Sequence, residues 1–302
     1  MARHMLLTGL VCAVIVWAGG LGIAEASEQG YANPRLIIET GELARILSSY
    51  EGSIVDLRPV KDYRQAHLPN AVHLSVAELT ATVAGLAGMM APQAVVEQRL
   101  GERGISRQTP LTLYDDADGL LAARLFWILD SFGHREVRLL NGGWAKWRRE
   151  GRSITRLAPK VVPTRYQAEL NPLKVATADW ILARIGRPEV VLVDARSPEE
   201  FRGEVAGRQV QRAGRIPGAV NVDWRENLTG TSKVVKSASE LRRLYEKPGV
   251  TADREVVVYC RTGVRAAFDY FVLRLLGYSR VRNYDGSWLE WGNRSDLPAE
   301  RG

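Results

Sequence analysis

Short apolar runs alternate with longer stretches of helical period along this chain. Residues 53–57 (SIVDL), 111–114 (LTLY), 190–194 (VVLVD) and 255–259 (EVVVY) are apolar, largely β-branched and too short for buried helices, so each predicts a strand. After the last of these, Ala266, Ala267, Phe268, Phe271, Leu275 and Leu276 recur at helical spacing, and the helix they predict ends near Gly277. A matching helix ends near Gly133. Alternation of buried strand and helix predicts an α/β fold: a parallel sheet covered by helices on both faces.

The pattern occurs twice. "SIVDLRPVKDYRQAHLPNAVHL" (53–74) matches "VVLVDARSPEEFRGEVAGRQVQRAGRIPGAVNV" (190–222): an apolar run ending in Asp-x-Arg, an aromatic, then a Pro-x-Ala-Val turn. The second copy holds about ten extra residues around "GEVAGRQVQR", expected to form a polar surface loop. Further on, residues 110–147 match 255–291. Cys260 lies 145 positions after Asp115, and Trp288 lies 144 after Trp144. A near-constant offset of this length indicates a duplicated domain rather than a solenoid repeat. The expected units are residues 33–155 and 173–300, joined by a proline-bearing linker at 156–172.

Length and composition agree with two ordinary domains: 302 residues, 25% charged and 46% hydrophobic. The first 26 residues read differently. Arg3 precedes an uncharged apolar run from Leu6 to Ala24, followed by Ala24-Glu25-Ala26, a secretory signal pattern that places the mature protein in the periplasm or outside the cell. The same run retained as an anchor is the alternative. Cys12 falls inside it, so cleavage leaves Cys260 as the one cysteine and excludes an internal disulfide. An unpaired thiol in an oxidising compartment is a liability unless it is buried or used. The net charge of +7 suits anionic substrates. No aromatic-interleaved basic stretch points to nucleic acid, and no later apolar run is long enough for stable membrane contact.

Residues 256–267, "VVVYCRTGVRAA", concentrate the chemistry. Cys260 sits where a strand ends, and Arg261, Thr262, Gly263, Val264 and Arg265 bridge to a helix start. Ligands of parallel sheets bind beyond the carboxyl ends of the strands. Amides of a helix N-terminus lack intrahelical partners and converge on anions, and their partial charge favours a thiolate. A thiolate in an anion cradle can attack electrophilic sulfur or phosphorus. The histidines of the duplicated units, His67, His73 and His134, all lie in the first half, so the second offers neither a Cys/His pair nor a metal cluster.

On the paired Asp-x-Arg turns, "GRIPGAVNV", "CRTGVR" and "NYDGSWLEW", the chain resembles tandem-domain rhodanese sulfurtransferases of the thiosulfate type, over nearly all of its length after the leader. The resemblance implies two duplicated rhodanese-like domains, each a parallel sheet flanked by helices, the first inactive because Asp115 stands where the second has Cys260. It implies that Cys260 accepts sulfane sulfur from a small anionic donor as a persulfide and passes it to a thiophile such as cyanide or a thiol, with no cofactor and no metal. A protein acceptor is compatible with this. The loop departs from the thiosulfate pattern C-R-K-G-V-T at Thr262 and Arg265, and Arg265 is expected to supply the charge of the missing lysine. Glu200 stands where animal-type enzymes have an arginine. Thiosulfate is the expected donor; mercaptopyruvate, polysulfide and a non-catalytic sulfur carrier are alternatives. A phosphatase needs Cys-x5-Arg, whereas Arg265 gives the shorter Cys-x4-Arg. Arg196 either reaches the cleft or pairs with Asp194 at the strand end, as Arg58 would with Asp56. Trp288 is expected near Cys260, although Trp144 repeats it in the first copy.

Overall fold

The computed structural model describes residues 30–302; the leader-like segment 1–26 and Cys12 lie outside them. In the first half, strands β1 (Ile37–Ile38), β2 (Ser53–Asp56), β3 (Ala71–His73), β6 (Leu111–Tyr114) and β7 (Val137–Leu140) form a sheet in the order β1-β7-β6-β2-β3. A separate antiparallel hairpin, β4 (Thr80–Val83) and β5 (Leu86–Met90), projects from it. The helices of this half are α1 (Thr40–Ile46), α2 (Val60–Gln65), α3 (Gln93–Gly101), α4 (Leu120–Ser131) and α5 (Gly143–Arg149).

The second half repeats the plan. Strands β8 (Val175–Ala176), β9 (Val190–Asp194), β10 (Val220–Asn221), β11 (Glu255–Tyr259) and β12 (Val281–Tyr284) lie in the order β10-β9-β11-β12-β8, the first sheet's order read from its other edge. All ladders in both sheets are parallel. Its helices are α6 (Ala178–Leu182), α7 (Pro198–Arg202), α8 (Ala238–Glu246), α9 (Val264–Leu275) and α10 (Ser287–Trp291). Both sheets are complete within the described residues.

One apolar core runs through both halves. Helices α4 and α9 pack on each other, with Phe126 edge-on to Phe271 at 5.2 Å between ring centres. Each lies between its own sheet and the other helix, which explains why nine of the twelve residues in each are buried and why their apolar faces extend nearly all round. Among the described residues, no helix is long and apolar enough to cross a membrane.

The extra residues of the second copy form an irregular surface loop, as expected, and side chains tie it down. Arg212 donates to the carbonyls of Trp291 (2.7 Å) and Leu297 (2.8 Å), and Asn293 donates to that of Gln209 (2.8 Å). The carbonyl of Arg212 accepts from the Trp288 indole at 2.9 Å. The insertion is thereby fastened to α10 and the C-terminal segment.

Candidate active site

Cys260 lies one residue beyond β11, a strand flanked on both sides in its sheet, and its side chain is buried. Its N–H donates to Ser287 Oγ at 3.1 Å, and its carbonyl accepts from Trp288 N–H at 3.0 Å. Gly263 caps α9 at φ +73°, a left-handed conformation natural to glycine. A Cβ there would lie 2.8 Å from Asp285 Oδ1 and 3.0 Å from Arg124 Nη1. The chain therefore turns from strand to helix within four residues, and the amides of the first turn of α9 have no intrahelical acceptor.

The first half shows what such a turn holds. Gly119 caps α4 at φ +89°, as Gly263 caps α9. Between strand and cap, the first copy has one more residue than the second, which accounts for the change of offset from 145 to 144. Asp115 occupies the place of Cys260, and Trp144 N–H donates to its carbonyl at 2.9 Å. The Asp115 carboxylate accepts from the amides of Ala117 (2.9 Å), Gly119 (2.8 Å) and Ala122 (2.8 Å). Burial pushes this carboxyl upward, against the downward pull of those three bonds. The first cradle is thus filled by a side-chain anion of its own. By the shared glycine cap, Gly119 and Ala122 correspond to Gly263 and Ala266, so the second copy repeats the helix start with a thiol in the carboxylate's position.

Ser287 was not foreseen as a site residue. It holds φ +50°, strained for a residue with a Cβ. Its counterpart is Gly143 at φ +51°, where a Cβ would meet the Asp115 carbonyl at 2.6 Å. The comparison of "NGGW" with "DGSW" contained this signal: only the cysteine-bearing copy puts a hydroxyl there. Asn283, Asp285 and Arg124 were also missed. Asn283 donates to the Gly263 carbonyl at 3.0 Å. Arg124, from α4 of the first half, pairs with Asp285 at 2.6 Å and donates to the carbonyls of Gly263 (3.4 Å) and Gly88 (2.9 Å). The other Asp285 oxygen accepts from Met90 N–H at 2.7 Å. The first half therefore braces the loop behind Cys260.

Arg261, Thr262, Val264 and Arg265 form a half-exposed rim around the buried cysteine. Arg261 donates to the Arg208 carbonyl at 3.2 Å, which ties the rim to the insertion. Arg265 is not left free to meet a donor: Glu200 takes it in a two-pronged ion pair at 2.6 and 2.9 Å. Burial opposes the charge of Arg265, but the bond to Glu200 and the proximity of Cys260 outweigh it and raise the guanidinium above its ordinary range. The same pairing, working against burial, lowers the Glu200 carboxyl.

Arg196 and Trp288 do not line an opening. Arg196 is fully buried, clamps Asp194 at 2.6 Å and donates to the Gly214 carbonyl at 2.7 Å. Arg58 does the same with Asp56 and the Ala66 carbonyl, both at 2.6 Å. Trp288 is fully buried beneath Arg196, with 4.8 Å from guanidinium to ring centre. Both are pieces of a repeated scaffold that holds the strand ends. Trp224 is also core, edge-on to Phe268. Among the described residues, no cluster of His, Cys, Asp and Glu could hold a metal ion.

Known proteins resemble this chain in sequence and fold. The Rhodanese-like domain model matches residues 39–150 and again 177–294. A thiosulfate sulfurtransferase of Azotobacter vinelandii is 33% identical, covering 89% of this chain and 98% of its own. The sulfur carrier protein TtuD of Thermus thermophilus is 37% identical over 90% of this chain and 99% of its own. A complex of an EanB variant with ergothioneine superposes with a TM-score of 0.80 at 25% identity, over 89% of this chain and 71% of that one. With its two matched halves, one cysteine-bearing loop and relatives aligned over nearly their full length, the chain belongs to the rhodanese family as a tandem pair of rhodanese-like domains.

Proposed function

We propose that the protein is a sulfurtransferase that moves the sulfane sulfur of thiosulfate to a thiophilic acceptor through a persulfide on Cys260. One observation carries the reading: where the first half holds a carboxylate in backbone amides ahead of a glycine-capped helix, the second half places a buried cysteine ahead of the matching glycine-capped helix. The names of the A. vinelandii and T. thermophilus relatives support it. In the first step the Cys260 thiolate attacks the outer sulfur of thiosulfate. A Cys–S bond forms, the sulfur–sulfur bond of the donor breaks, and sulfite leaves with the electron pair. The cradle amides stabilise the terminal sulfur anion of the persulfide. Cyanide or a thiolate then attacks that sulfur, and the bond to Cys260 breaks to return the thiolate. No net oxidation of the protein and no cofactor is involved. The test is thiocyanate formation from thiosulfate and cyanide, beside Cys260→Ala, with the intact mass after thiosulfate alone. Thiocyanate and a gain of one sulfur atom in wild type only are expected; a silent wild type refutes thiosulfate as donor.

The Glu200–Arg265 pair favours a second donor. It neutralises the cation expected to meet the far end of thiosulfate. A polysulfide makes less demand on that charge, and comparing kcat/KM for the two donors decides between them. Export belongs to the same proposal: cell fractionation should find the protein outside the cytoplasm, cut after Ala26.

A further inference from the structure

The positive charge of this protein is gathered in one place. Residues 146–165 carry seven Lys and Arg against one Glu, which is six of the seven net charges of the chain. This stretch leaves α5 and runs along the outside of the first half without regular structure, apart from a single bridge between Thr155 and His67. Its cations divide into two groups. Lys146 is paired with Glu39, and Arg152 with Glu150. Arg149, Arg156 and Lys160 are exposed and form no ion pair among the described residues, and the exposed Arg148 lies over the Trp144 ring at 5.5 Å. Arg156 donates to the Gln65 carbonyl at 3.0 Å, which sets it beside α2 and the exposed Lys61 and Arg64. At the far end, Thr164 N–H bonds to the Gly101 carbonyl, and Glu97 there feels Arg165, so the unbalanced surface spans Arg148 to Lys160.

Aliphatic side chains stand between these cations. Leu157 and Val162 are each 81% exposed, and Ile154 is 40% exposed. An exposed leucine alone needs no explanation. Here, Pro159 and Pro163 keep the backbone extended, so apolar and cationic groups emerge side by side on one strap. A soluble acidic partner would match the charge but give Leu157 no reason to face outward. An anionic bilayer surface accommodates both: headgroups pair with the cations while the aliphatic tips enter the interface.

We propose that residues 148–162 form a docking surface for anionic lipid, which holds the protein reversibly at a membrane surface. The test uses the chain from Ser27, which holds all of the described residues, in sedimentation with phosphatidylglycerol or phosphatidylcholine vesicles. Binding is expected to phosphatidylglycerol alone and to fall steeply with salt. Arg156→Gln with Lys160→Gln should weaken it by roughly 25-fold, about fivefold per cation. Leu157→Ser should weaken it by about tenfold. Unchanged melting temperatures would show that the variants remain folded. Absence of sedimentation with phosphatidylglycerol, or binding that ignores the double substitution, overturns the proposal. Heparin bound as tightly as vesicles and indifferent to Leu157→Ser would overturn it too, in favour of a surface that reads charge alone.

Discussion

Ser287 holds an unfavourable φ in order to place a hydroxyl under the Cys260 amide, whereas Gly143 meets the same backbone demand with no side chain. Ser287→Gly should therefore lower sulfur transfer while leaving the melting temperature equal or higher, a separation that activity and thermal denaturation measure together. Glu200→Gln frees Arg265 from its ion pair. It is expected to lower KM for thiosulfate several-fold with little change for polysulfide, and steady-state kinetics with both donors checks this. His134 is a residue of stability rather than chemistry. It is buried, its Nε2–H donates to the Thr109 carbonyl at 2.8 Å, and burial pushes its pKa down to about 4. In the unfolded chain the same imidazole takes a proton near pH 6.5, so between those values the unfolded state binds more protons. Stability from this group is complete above pH 6.5 and declines as pH falls toward 4, by roughly 3 kcal/mol in all. Denaturant titrations from pH 7 to 4 should show this slope in wild type and a shallower one in His134→Gln.

At the scale of elements, the decisive piece is the turn from β11 into α9. Gly263 combines a left-handed φ with contacts that leave no room for a methyl group. Gly263→Ala is expected to displace the loop, reducing activity by more than tenfold and costing about 1–3 kcal/mol of stability, as read from thiocyanate assays and denaturant melts. Much of this element was legible in the sequence. The β-branched run of residues 255–259, the glycine and the resumption of helical spacing at Ala266 place Cys260 at a strand end by local pattern alone. Asp115 in the equivalent place was legible for the same reason, because local pattern determines where strands stop. Partners far away in sequence were not legible. The 65-residue separation of Glu200 from Arg265 hides their pairing, and the grip of Arg212 on α10 appears only when the chain has folded back. The roles of Trp288 and Arg196 stayed open in the sequence because an aromatic and a cation near a cysteine look alike whether they line a cleft or fill a core.

Across the whole molecule, the cysteine-free half acts on the loop of the other. Arg124 crosses from α4 to Asp285 and the Gly263 carbonyl, and Met90 N–H holds the remaining Asp285 oxygen. Removing one member of a buried ion pair strands its partner. Arg124→Met should cost about 3 kcal/mol and reduce kcat, and adding Asp285→Asn should restore part of the stability; melts of the two single variants and the double variant measure that coupling. The filled first cradle has a consequence for stoichiometry. The sequence duplicates an anion site, but one of the copies carries its occupant as a side chain, tethered at a concentration no solute can match. A calorimetric titration with sulfite or sulfate should therefore count a single cradle per chain. Replacing Asp115 with glycine would evict the tethered tenant and raise the count to two, turning a silent copy into a vacant receptor without giving it a nucleophile.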